Sequence, residues 1–468
     1  MNVASDNLEK ASSPVLYLDA LGPSGEYRTR NREVITDMTG AMVAELSIVP
    51  PLYVSRTVRA QRQAAPLPMA RRESALADAA DIFETAVIGG LDFDEYVAMV
   101  SRVAGLPVTV ARTSARGVAE AVRGAVDAVT PARPVGAVLD WRDERSRSGT
   151  AVWARRGDVL AVHASGNSPG VHGSWTQALA LGFHAAVRPS RREPFTGHRL
   201  INALRQAGFR PEDAVYLPTD HAGAAEIVDA ADLAVVYGGQ DVVDKYTRDP
   251  TVLTNGPGRT KILITAEMDW RAYLDVIVES ISGQGGMACT NATAVLYEGD
   301  PRALAEAIAA RLATIEPLPA SDERAILPTQ RLTSARRIAE YLAAKSHGAE
   351  PLLGADQVVA DLGDGSAALR PAVHLLERPD VDMLNTELAF PSVWIAPWCR
   401  GDGMAPLRQS LVVNAVTTDD GLIDALLAEP TVANVYAGNH LTSHTAAGIP
   451  HDGFLADFLM RTKGMIRD

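Results

Sequence analysis

The chain has two cysteines, Cys289 and Cys399, and they stand in different settings. Cys289 follows Gly283-Gln-Gly-Gly286 and is flanked by Ala288 and Thr290. A thiol acts as its thiolate and needs an open, polarising surrounding to lose its proton near neutral pH. The glycines let backbone amides approach a ligand, and the small neighbours leave the sulfur accessible. That pattern suits a covalent nucleophile; the competing reading is a buried cysteine beside a turn, because free Cys is among the most buried residue types. Cys399, in Ala396-Pro-Trp-Cys399, reads as packing. His440 and His444 could share a helix face, but Asn439 and Thr442-Ser443 read as loop and no third ligand is evident, so no metal is expected.

The elements around Cys289 place it at a lip. A helix expected over Ala272 to Ser282 ends in the glycine turn, and a β-leaning run from Thr293 to Tyr297 follows. Upstream, four apolar strands alternate with helices. Val159–Ala164 leads into a loop with Ser165 and Asn167, and Ala185–Arg188 leads into Pro-Ser190-Arg191-Arg192. Ala214–Leu217 precedes Thr219, and Leu233–Tyr237 runs into Gly238-Gly239. Strands and helices alternating at this spacing imply parallel βαβ units. Ligands of such sheets lie beyond the carboxyl ends of the strands, where Asn167, Arg188, Ser190, Thr219, Gly238 and Gly239 fall. This points to a nucleotide site, although no GxGxxG loop is present.

The breaker cluster Asn255-Gly-Pro-Gly258 closes this unit, and Lys261 to Thr265 opens a second α/β unit holding Cys289. The expected fold class is therefore α/β in two domains. Residues 1–258 carry an N-terminal helical layer and the dinucleotide-binding domain, 259–438 the catalytic domain, and 439–468 a tail with a helix over Asp452 to Lys463. Residues 1 to about 70 read as short helices and loops. Val135 to Trp141 and Thr150 to Ala154 read as a hairpin arm over about 135–156, with a charged tip from Arg142 to Gly149. Such an edge either stays solvated or pairs with another subunit, which predicts a homodimer or larger assembly.

Composition bounds the partners. The chain has 468 residues, 47% of them hydrophobic, and a formal charge of −13. Nucleic-acid binding rests on clustered cations, so a polyanion is not an expected partner. Two cysteines exclude a disulfide framework, and the start MNVASDNLEKASSP lacks a signal-peptide core, so a cytoplasmic location is expected. No run of about 18 apolar residues suggests a membrane span.

Order and spacing from about residue 70 to the end resemble the aldehyde dehydrogenase superfamily. Asn167-Ser-Pro169 is similar to that family's Asn-Phe-Pro, whose asparagine amide and the cysteine's own N–H form an oxyanion hole. Val187-Arg-Pro-Ser190 resembles Leu-Lys-Pro-Ser, which reaches the cofactor ribose. Tyr237-Gly-Gly239 resembles the Thr-Gly-Ser loop over the pyrophosphate, and Ala288-Cys289-Thr290 resembles the nucleophile segment. The resemblance implies a Rossmann-like cofactor domain, a second α/β catalytic domain and an oligomerisation hairpin. Its catalytic residues would be Cys289 and Asn167, and its cofactor-binding residues Ser165, Arg188, Ser190, Arg191, Gly238 and Gly239.

Two departures matter. The family's hydrolytic glutamate is missing from Leu253-Thr-Asn-Gly-Pro-Gly-Arg259. In Phe390-Pro-Ser-Val393, similar to Phe-Gly-Pro-Val, Leu388 stands near where a ribose-binding glutamate belongs; Glu387 fits only if the register slips by one. Oxidation of an aldehyde needs water activated against the thioester, whereas reduction of an acyl group must keep water away. The chain thus resembles the acyl reductases of bacterial luminescence and of phenazine and aminohydroxybenzoate antibiotic pathways. These act on acyl thioesters or adenylates, with an adenylating enzyme or carrier protein as partner. The alternatives are an aldehyde dehydrogenase whose base comes from elsewhere, and a silent scaffold for an adenylating partner. The resemblance also implies NADPH over NADH, because the NAD-selective members carry a glutamate where Arg191 stands, and arginine grips phosphate but accepts no hydrogen bond.

Overall fold

The structure is a computed structural model and describes residues 15–446 and 448–468. The reading of residues 1–14 as free of a signal segment lies outside the described residues.

The first of two seven-stranded sheets runs in the order Val252–Asn255, Leu233–Tyr237, Val159–His163, His184–Arg188, Ala214–Tyr216, Ala20–Gly22 and Gly25–Tyr27. Its first five strands are parallel. Val159–His163 is buried at every position because helices cover both faces. Leu160 and Val162 pack with helices Met69–Thr85, Thr176–Leu181 and Phe195–Gln206. Val159 and Ala161 pack with Pro51–Gln63 and His221–Ala230. Later strands are laid to either side of Val159–His163, so the chain reverses its direction of travel between that strand and Leu233–Tyr237. A ligand crevice opens at such a switch point.

The second sheet runs Glu350–Leu353, Ala372–Leu375, Ser392–Pro397, Ala292–Tyr297, Thr260–Ile264, Ser410–Val416 and Val432–Ala437. All its pairs are parallel except the outermost, Glu350–Leu353 on Ala372–Leu375. Cys289 and Gly258 precede neighbouring strands of this sheet, at their amino ends, while Asn255 ends a strand of the first sheet. The linker at residues 256–259 thus joins the carboxyl edge of one sheet to the amino edge of the other. Lys261, buried in Thr260–Ile264, holds that edge: its Nζ donates to Asn385 Oδ1 at 3.0 Å, Ser410 Oγ at 2.8 Å and the carbonyls of Arg259 and Arg408, both at 3.1 Å.

Three expectations are corrected. Residues 16–47 form five strands rather than short helices and loops, because their partners are distant: Leu21 pairs with Tyr216, and Leu16–Leu18 lies parallel to Met42–Ser47. The arm is not a hairpin of neighbouring runs. Thr150–Arg155 pairs antiparallel with Met460–Met465, while Val138 makes only an isolated bridge to Val152. The tail helix is correspondingly short, Leu455–Leu459, since the unpaired edge of Thr150–Arg155 offers the next residues a ladder and Gly464 disfavours helix. Arg467 closes this ribbon, donating from Nε to Ser146 Oγ at 3.1 Å. No helix among the described residues is long and apolar enough to cross a membrane.

Candidate active site

The loop before Cys289 is shaped by its backbone. Gln284, Gly285 and Gly286 take φ of 54°, 71° and 64°, a left-handed run that turns the chain out of helix Leu274–Ser282. A Cβ on Gly286 would stand 2.6 Å from the Phe390 carbonyl carbon, so the loop packs directly on the segment at residues 387–391. Asn291 pins the turn: its Oδ1 accepts from the Ala288 N–H at 2.9 Å, and its Nδ2 donates to the carbonyls of Ser280 and Gly283 at 3.0 and 2.8 Å. Thr260 Oγ1 donates to the Cys289 carbonyl at 3.0 Å. The thiol, partly exposed, is held on a fixed backbone.

Asn167 meets this loop from beyond the carboxyl end of strand Val159–His163 in the first sheet. Ser165 Oγ donates to Asn167 Oδ1 at 2.6 Å, which orients the amide so that Nδ2 donates to the Met287 carbonyl at 3.1 Å. Sequence reasoning singled out Asn167 for the oxyanion and Ser165 for the cofactor; the structure ties Asn167 to the Met287 carbonyl, two residues before Cys289, with Ser165 behind it.

His451 escaped that reasoning. Its Nε2 lies 3.2 Å from Cys289 Sγ, and its Nδ1 faces the Asp452 carboxylate at 2.8 Å. Asn434 Nδ2 donates to the His451 carbonyl at 2.5 Å and fixes the loop from the strand Val432–Ala437. Burial opposes the charge on His451, but the bonds to Asp452 and to the sulfur outweigh it and raise its pKa to about 10. The ring is 46% exposed, so solvent screens part of this shift. A cationic imidazole beside the sulfur, oriented by a carboxylate, favours the thiolate and is one arrangement of an activated nucleophile. The only local sign of it was the adjacency His451-Asp452-Gly453, which has no period or fixed spacing to the cysteine.

Tyr237 and Asn255 lie side by side at the carboxyl ends of neighbouring strands. The Tyr237 hydroxyl is 2.8 Å from Ser174 Oγ, and burial raises its pKa, with the negative charges of Asp452 and Cys289 adding. Asn255, the residue before Gly256, has a buried Oδ1 without a partner. Glu387 faces the linker instead of an open crevice: its Oε2 accepts from the Arg259 N–H at 2.9 Å, and burial raises its pKa against the pull of the Arg259 and Gly258 amides.

The residues expected to hold a cofactor gather at the carboxyl ends of the first sheet. A Cβ on Gly166 would stand 2.7 and 2.8 Å from the Cβ atoms of Arg192 and Ser190, so the loop leaves a close backbone approach there. Gly238 and Gly239 follow the strand across the switch point. Arg188 keeps a buried Nε without a partner, and burial, with Arg191 nearby, lowers its pKa. An unpartnered guanidinium nitrogen at Arg188 fits an anionic ligand, while the glycine at 166 serves the close packing of its loop on Ser190 and Arg192. Arg191 is paired with Glu33 at 2.9 Å, a partner from strand Arg32–Thr36 that sequence reasoning missed. Thr219 is spent elsewhere, buried and donating to the Val49 carbonyl at 2.7 Å.

Cys399 is exposed rather than packed, because its N–H caps a short turn at Asp402 and leaves the thiol outside. The rings of His440 and His444 are 6.1 Å apart, and among the described residues no group of three or more His, Cys, Asp or Glu could hold a metal.

A model described as the aldehyde dehydrogenase family matches residues 27–403. Among solved structures, the chain is similar to gamma-glutamyl-gamma-aminobutyraldehyde dehydrogenase from Burkholderia cenocepacia, at 16% identity over 96% of both chains with a TM-score of 0.80. It is also similar to indole-3-acetaldehyde dehydrogenase of P. syringae bound to NAD+ and IAA, at 15% identity over 96% of both chains with a TM-score of 0.81. A third, 1-pyrroline-5-carboxylate dehydrogenase from Thermus thermophilus, is 14% identical over 96% of this chain and 93% of that one, with a TM-score of 0.80. At these identities the likeness concerns the fold. No curated protein matches the sequence.

Proposed function

Because the chain belongs to the aldehyde dehydrogenase family, we propose that it oxidises an aldehyde to its acid with NAD(P)+ through a thioester on Cys289. The observation that supports this reading is the contact between the loop after strand Val159–His163 and the loop of Cys289, with Asn167 Nδ2 held 3.1 Å from the carbonyl of Met287. An amide nitrogen has two hydrogens; one is used in that bond, and the second is the donor for an oxyanion on the carbon bonded to sulfur. Such a preorganised donor is worth about 2.7–4 kcal/mol of transition-state stabilisation. The nicotinamide, when bound, supplies the hydride acceptor. Gly238, Gly239 and Ser165 would border its phosphates, and Arg188, Ser190 and Arg191 its adenosine ribose.

NADP is the preferred cofactor in this reading. The Arg191–Glu33 pair is 45% and 33% exposed, and an exposed pair contributes about 0–1 kcal/mol. A charge-assisted bond to a 2′-phosphate contributes about 1.5–3 kcal/mol, so the phosphate wins Arg191 from Glu33.

A second reading, reduction of an acyl thioester or acyl adenylate to an aldehyde, is favoured by Asn255, a neutral residue in the segment where the family's hydrolytic glutamate is expected. An adenylating enzyme or carrier protein would then be the partner. The two readings separate when one preparation is given a panel of aldehydes with NADP+ and, in parallel, the matching acyl thioesters and adenylates with NADPH. Sustained NADPH production from aldehyde supports oxidation. Turnover only from the activated acyl donors overturns it in favour of reduction.

A further inference from the structure

We infer that His451, with Asp452 behind it, is the proton-transfer residue for chemistry at Cys289 and stands in for the missing family glutamate. The inference rests on Cys289 being the nucleophile. Among the described residues His451 is the one ionisable side chain within hydrogen-bond distance of the sulfur, at 3.2 Å. Asp452 accepts from Nδ1 at 2.8 Å and so leaves Nε2 to face the sulfur. The Tyr237 hydroxyl is engaged 2.8 Å from Ser174 Oγ and makes no hydrogen bond to the sulfur among the described residues. No carboxylate lies in residues 253–259 to do so.

The steps balance. The proton of the Cys289–His451 pair rests on Nε2, whose pKa is raised to about 10, and the sulfur bonds to the aldehyde carbon as the carbonyl π pair moves to oxygen. When the hydride has left that carbon for a bound oxidised nicotinamide, the thioester that remains no longer offers His451 a negative sulfur, and the proton on His451 passes to solvent as the net proton of the oxidation. Neutral Nε2 then takes a proton from water as its oxygen bonds to the thioester carbon. The C–S bond breaks, and sulfur leaves with the electron pair as a thiolate beside the protonated Nε2. One imidazole thus serves both halves of the reaction, its charged form holding the thiolate and its neutral form taking the proton of water. Asp452 acts through His451 and is a positioning residue.

His451→Gln and Asp452→Asn test this in the full-length chain. Positioned acid–base groups contribute about 10²–10⁴-fold. Hydrolysis of the Cys289 thioester, followed by intact mass after an aldehyde and NADP+ are mixed, should therefore slow by at least about 10²-fold in His451→Gln. The rate of Cys289 alkylation by iodoacetamide should lose the parent's dependence on pH. Asp452→Asn should shift that dependence while NADP+ affinity, read by quenching of tryptophan fluorescence, stays at the parent value. Alkylation profiles and thioester decay matching the parent in both variants would overturn the inference. If the parent itself forms no adduct on Cys289, the underlying assignment of the nucleophile fails instead. If His451→Gln is acylated but not deacylated, the dyad's role stands.

Discussion

Gly258→Ala is a sharp test of how the linker positions the nucleophile. A Cβ there would stand 2.8 Å from the Cys289 Cα and 2.5 Å from its carbonyl carbon, and nearer still to the oxygen. Carbon atoms in contact settle at about 3.5–4.0 Å, so one backbone must yield by about 1 Å. Gly258 cannot easily do so, because Glu387 holds the adjacent Arg259 N–H at 2.9 Å and the Leu411 N–H donates to the Gly258 carbonyl at 2.7 Å. The shift therefore falls on Cys289. A misplacement of about 1 Å costs about 10²-fold, or about 2.7 kcal/mol of transition-state stabilisation. The overpacking itself costs about 1–3 kcal/mol of stability. The assay is kcat/KM beside Tm, with iodoacetamide labelling to show that the thiol is present. Gly256→Ala is the control, since its Cβ would meet Val243 Cγ2 at 2.7 Å, a methyl that can turn away. A Gly258→Ala enzyme within about threefold of the parent kcat/KM would refute the idea that this contact sets the cysteine's position.

Three further outcomes are expected. Arg191→Glu should move the ratio of kcat/KM from NADPH toward NADH by about one to two decades, and equal use of both cofactors by the parent would show Arg191 to be surface charge. His451 has a folded pKa raised from 6.5 to about 10, so the folded state holds the extra proton between those values; its stabilisation is full below pH 6.5 and is lost as pH rises through 10. Urea midpoints of the parent and His451→Ala should therefore differ most near pH 6 and converge toward pH 10, and parallel curves would contradict this. The ribbon of Thr150–Arg155 and Met460–Met465 has only two strands and is marginal alone, so we propose that it pairs with a second copy of the chain. Light scattering should give a dimer or larger, falling to a monomer when the chain is cut after Leu459, and a monomeric parent would rule it out.

What could be read in the sequence follows from where the information lies along the chain. Val159–His163, His184–Arg188, Ala214–Tyr216 and Leu233–Tyr237 are apolar runs cut by Gly, Pro and Ser, so their strands and the loops holding Asn167 and Ser190 are encoded locally. Cys289 is equally local, set in its glycine turn. Ala20–Gly22 has three residues and earns its strand from Tyr216, and Thr150–Arg155 finds its partner some three hundred residues later; neither pairing leaves a periodic trace. His451 sits in a loop 162 residues beyond Cys289, positioned by Asn434 and Asp452 rather than by any pattern of its own. His451 leaves no trace in the local sequence because only folding brings it to the sulfur.

The most direct test of the account is the covalent state of Cys289. The full-length protein is mixed with NADP+ and a reactive aldehyde, quenched in acid within the first turnover, and analysed by intact mass and peptide mapping. One acyl adduct on the peptide containing Cys289, absent from Cys289→Ala together with all turnover, is the predicted result. An adduct on Cys399, or NADPH production that survives Cys289→Ala, would contradict it.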